Sequence, residues 1–88
     1  MEIKSSVERI RQFIAKDQLE QALEELTKLM KSNSRVDEVI LQSARFEEIS
    51  KYTRMGMVSF EQAKVEKNQI RQGLLEILRI LEEDNIRR

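Results

Sequence analysis

The feature that most constrains this chain is its helical spacing of apolar side chains. They recur every three or four residues, are interrupted by three clusters of capping and turn residues, and never meet a proline. Spacing of that kind gives a helix one apolar face, and the absence of proline leaves long helices unbroken. Ile3, Val7, Ile10, Phe13 and Ile14 fit a first helix, with Ser5 and Glu8 spaced as a capping box at its start. Leu19, Ala22, Leu23, Leu26, Leu29 and Met30 fit a second, and Asp17 is the expected N-cap, with Glu20 at the complementary position. Ser32, Asn33 and Ser34 form the next break, because their short polar side chains compete for backbone hydrogen bonds.

A third helix is expected to end at Gly56, where a left-handed cap residue belongs. Ser59 and Gln62 make a second capping box, with Val58 and Ala63 as a weak hydrophobic staple across it. The last helix then carries Phe60, Ala63, Ile70, Leu74, Ile77, Leu78 and Leu81 on one face. No segment alternates with period two, so strands are not expected. The expected helices span residues 5–15, 18–31, 35–55 and 60–84 of a single domain covering 1–88. Short connections favour antiparallel neighbours. The expected fold is therefore all-α: an up-down four-helix bundle with a shorter N-terminal hairpin and two longer C-terminal helices.

Composition narrows the function. The 88 residues include no His, Cys or Trp, which removes the commonest general base, the best thiol nucleophile and the usual zinc ligands. Two glycines, Gly56 and Gly73, cannot build a phosphate-cradling loop. Glu24-Glu25, Glu47-Glu48 and Glu82-Glu83 are adjacent on helices and point about 100° apart, so they form no shared acid–base site. No catalytic residue, cofactor or metal is expected, and the chain is read as non-enzymatic.

Sixteen basic residues balance sixteen acidic ones. The balance also holds within residues 1–34, 35–58 and 59–88, so no segment is built as a polyanion binder and no nucleic-acid partner is expected. The longest aliphatic run, Val39-Ile40-Leu41, is far short of the ~20 apolar residues that span a bilayer. No apolar signal region follows Met1 either. A cytoplasmic protein without a membrane partner is expected.

Some positions resist a plain core-and-surface reading. On helix three, Val36, Ile40 and Ala44 lie on one side, and Leu41, Ile49 and Tyr52 extend around the back. Such a broad arc fits either a helix packed by two neighbours or one that meets another chain near Tyr52. Leu75 and Ile80 fall off the helix-four stripe, as isolated surface residues or as partner contacts. Gly73, in mid-helix, admits a close approach within the bundle or between chains. Lys67 lies on the apolar stripe, where its aliphatic stem can reach past the edge of the bundle. Arg45 and Asn68 are expected to form a polar link between helices three and four, with Arg45 paired to Glu66 or another carboxylate.

The second half carries a more specific pattern. Residues 39–56, then Val58 to Ala63, Glu66 to Ile70 and Leu74-Leu75, resemble the effector-associated domains of the eleventh type, a bacterial family. In that family Leu-Leu-Ser-Ala-Arg-Tyr precedes a Gly-Ile/Val-Ser turn, and Asn-x-Ile and Leu-Leu follow. The corresponding positions here are Ser43, Ala44, Arg45, Gly56, Ser59, Asn68, Ile70, Leu74 and Leu75. Phe46 stands where Tyr is usual, Gln62 where an acidic residue is, and Gly73 where Ala is. The likeness is close over about 40 residues, and the first 35 match only as a helical hairpin.

The resemblance implies a death-fold-like adaptor in bacterial conflict or defence signalling. Its partner would be an effector or sensor protein carrying a similar helical domain, or a further copy of the chain, held by homotypic contact. Arg45, Gly56, Ser59 and Asn68 are its structural motif residues. Partner contact is expected at Tyr52, Leu75 and Ile80, with exposed charge on helices one and two. A homo-oligomeric scaffold and a regulatory nucleic-acid or small-ligand binder are the alternatives.

Overall fold

The computed structural model describes residues 3–86, and its regular structure is entirely α-helical. Four helices follow in order: α1 (Ile3–Ala15), α2 (Leu19–Leu29), α3 (Val36–Arg54) and α4 (Phe60–Ile86). Among the described residues there is no strand. Each helix packs on the next, and α1 also packs on α4. Val7, Ile10, Leu26, Met30, Val39, Ile70, Leu74 and Leu78 are fully buried at the centre of a core drawn from all four helices.

Two cap expectations need correction. The helix α1 begins at Ile3, so Ser5 and Glu8 sit inside it and the capping box at Ser5 does not form. Ile3 packs against the core, and that contact carries the helix upstream of the local cap signal. Asp17 is likewise not the N-cap of α2; that residue is Gln18, which makes no side-chain cap bond. Instead Asp17 ends α1 in the left-handed conformation, with φ 60°. Its N–H donates to the Ile14 carbonyl at 3.1 Å, and the Gln18 N–H reaches the Phe13 carbonyl at 2.8 Å. These paired bonds are a Schellman motif, in which a short polar Asp tolerates the position that usually takes Gly.

The α3–α4 connection closes the same way. Gly56 has φ 70°, its N–H donates to Thr53, and the Met57 N–H donates to Tyr52. Ser59 then caps α4, its Oγ accepting the Gln62 N–H at 3.1 Å. Val58 rests against the core and Ala63 is buried, across that cap.

The α1–α2 turn and the start of α4 border the surface of interest. Arg11 of α1 bonds Glu82 of α4, and Asp17 at the α1–α2 turn bonds Arg71. Asp17 meets α4 at Arg71, eleven residues after Phe60, so the first turns of α4 overhang the α1–α2 turn.

That overhang explains a third correction. Phe60 was expected in the core but is 87% exposed. It has the correct helical phase, yet Asp17 is the one lining residue that the α1–α2 turn brings to its open cleft. Ala63 is nonetheless buried, and full coverage resumes at Ile70.

Candidate interaction surface

Under the overhang lies a cleft of about 410 Å³, between the start of α4, the end of α3 and the α1–α2 turn. Phe60 and Ala63 supply its apolar wall, and Lys64, Lys67 and Arg71 its cationic one. Arg71 is already engaged: its guanidinium donates to Asp17 and to Asn68. Lys64 and Lys67 have no ion-pair partner among the described residues, although Glu61 also borders the cleft. Lys67 is half-buried and lines this cleft.

A second depression, about 150 Å³, runs between α2 and α3. Leu23 and Phe46 form its apolar floor, and Glu20, Glu24 and Glu47 edge it without any basic residue in the lining. Glu24 has only a 3.9 Å contact with exposed Lys28. Glu20 and Glu47 have no ion-pair partner among the described residues. The surface thus carries one cationic and one anionic concavity, each with an apolar element.

The sequence-derived residues are dispersed. Arg45 bridges α3 and α4, donating to Gln69 Oε1 at 3.1 Å and lying 3.9 Å from Glu66. Asn68 does not join that link; it accepts from Arg71 on its own helix. Gly56 and Ser59 shape the turn beneath the overhang.

Tyr52 is half-buried, beside a shallow depression bordered by Glu47, Lys51 and Arg54. Leu75 is 42% exposed and Ile80 is half-buried. Tyr52 lies on α3, whereas Leu75 and Ile80 lie on α4. Ile80 is turned about 140° from Leu75 around the helix. These three residues do not share a patch.

Sequence reasoning missed Phe60 and Lys64 as surface residues, and the acidic groove altogether. Lys67 was the available signal, a cation on an otherwise apolar stripe. On α3 the broad apolar arc is only partly used, with Val39 and Ile49 buried but Ile40 and Leu41 more than half exposed.

Two surface ion pairs shift the carboxyls they hold. The hydrogen bonds from Arg11 hold the Glu82 carboxyl below the usual range, partial burial opposing them, with smaller help from the charges of Arg11 and Lys4. Arg79 does the same for Glu76. Among the described residues no group of three or more His, Cys, Asp and Glu could hold a metal ion. No described helix is long and apolar enough to cross a membrane.

Comparison with known families locates this architecture. The model of the family described as effector-associated domain 11 matches residues 5–82. It reaches through α1 and α2, where the sequence resemblance rested on helical pattern alone. No curated protein and no solved structure matches the chain. With nearly its whole length inside the family model, the chain belongs to the effector-associated domain 11 family.

Proposed function

We propose that this chain is a non-enzymatic adaptor, a single up-down helical bundle with a short N-terminal hairpin and long C-terminal helices. It recruits an effector or sensor protein carrying a similar domain, through homotypic contact, in cytoplasmic bacterial conflict or defence signalling. Membership of the effector-associated domain 11 family over residues 5–82 carries this reading.

Physical features support it. The cross-helix pairs Arg9–Glu25, Arg45–Gln69 and Arg11–Glu82 are consistent with antiparallel neighbours. Exposed apolar side chains at Ile40, Leu41, Met57 and Phe60 offer contact area, and charged concavities offer selectivity. Tyr52, Leu75 and Ile80 are proposed as further contacts, on separate faces.

The test is direct binding to proteins encoded beside this chain that carry a similar short helical domain. A saturable complex through that domain is expected. If every such neighbour fails to bind, recruitment is wrong, and a chain that binds only itself is a scaffold.

A further inference from the structure

We propose that the overhanging end of α4 in one copy docks into the α2–α3 groove of a second copy of this chain. Phe60 enters the groove, and Lys64 and Lys67 face Glu20, Glu24 and Glu47. This rests on the homotypic reading above and specifies its surfaces.

Three observations converge on the contact. Phe60 is 87% exposed, projecting a large aromatic ring into solvent at the edge of the cationic cleft. The groove measures about 150 Å³ and is floored by Leu23 and Phe46. That volume is about what one aromatic ring needs, so the ring rests on this apolar floor inside a polar, open rim. The charges are complementary and available: Lys64 and Lys67 beside the knob, and three carboxylates around the hole. Opposed charge of this kind fixes register and excludes partners of like sign. Burial of an aromatic ring at the centre with charges around it is the usual anatomy of a protein–protein contact.

Knob and hole lie on different helices, so the contact joins unlike surfaces. Each docked pair keeps one free end and one free groove, and copies add in succession rather than stopping at a symmetric dimer. Added salt weakens the assembly by screening the charges at its rim.

The experiment uses two variants of the full chain, Phe60→Asp and Glu24→Lys/Glu47→Lys, with mass measured by sedimentation across concentration. The unmodified chain is expected to grow beyond a dimer as concentration rises. Each variant alone is expected to be monomeric, with affinity reduced about tenfold or more. Mixed in equal amounts they should form a 1:1 dimer and nothing larger, because one intact end and one intact groove remain. Circular dichroism establishes that each variant is folded. Should either unfold, Lys64→Glu/Lys67→Glu or Glu20→Lys replaces it.

An unmodified chain that stays monomeric, variants that assemble normally, or a mixture that fails to pair each overturn the contact. A monomeric chain that still binds a similar domain on another protein removes this contact and leaves recruitment standing. Self-assembly of the stated kind without any such partner does the reverse.

Discussion

The side-chain amide of Gln42 on α3 occupies the space where a Cβ on Gly73 of α4 would stand, its Nε2 2.6 Å from that position. Gly73 thus makes room for a side chain, and not for contact between helix backbones. The arrangement is imperfect, because Gln42 Oε1 is buried without a hydrogen-bond partner.

Gly73→Ala should therefore stabilise the domain by about 0.5–1 kcal/mol. The added methyl displaces only the flexible end of Gln42, whose stranded oxygen then reaches water. A chemical-denaturation midpoint reads the change. A loss of stability would mean that the amide cannot leave and that the helices need a glycine there.

Gly56→Ala should destabilise by about 1–2 kcal/mol, the cost of a side chain in left-handed backbone. Nothing lies within 4 Å of the new Cβ, so the effect is conformational alone. At the matching position of the other turn, Asp17→Gly should be better tolerated than Asp17→Ala, since only alanine adds backbone strain to the lost Arg71 bond. Thermal melting of the three variants checks the order.

Ser59→Ala should lower stability by about 1 kcal/mol through loss of the bond to the Gln62 N–H. Ser5→Ala should be neutral or slightly stabilising, because Ser5 lies within α1 and caps nothing. Equal losses in both variants would restore the capping box that the sequence pattern implies.

Arg11 clamps Glu82 with two hydrogen bonds, of 3.0 and 2.6 Å, and the carboxyl pKa is lowered in the folded state. A depressed folded pKa contributes stability above the unfolded value of about 4.3. That contribution is lost as pH falls through the folded value. Both side chains are about one-third exposed, so screening limits it to under about 1 kcal/mol. Glu82→Gln should lower the urea midpoint at pH 7 and have little effect near pH 2.

Helix identity was legible because Val7, Ile10, Leu26, Leu74 and Leu78 repeat at helical spacing, and period alone determines which face turns inward. Gly56 and Ser59 were legible because their turn chemistry is local. Ser5, Asp17 and Phe60 were misread for one shared reason. Each depends on something beyond its own local pattern: Ile3 packs on the core and extends α1, Asp17 closes the α1 turn and bonds Arg71, and Phe60 borders an open cleft. The acidic groove left little local trace: Glu20 and Glu24 are four apart on α2, and Glu47 joins them only across α2 and α3.

The most direct measurement is a calorimetric titration of this domain with the similar domain of an effector encoded beside it. Saturable binding that weakens with added salt is the predicted result. Absence of heat and of complex with every such domain, up to about millimolar concentration, would contradict an adaptor role.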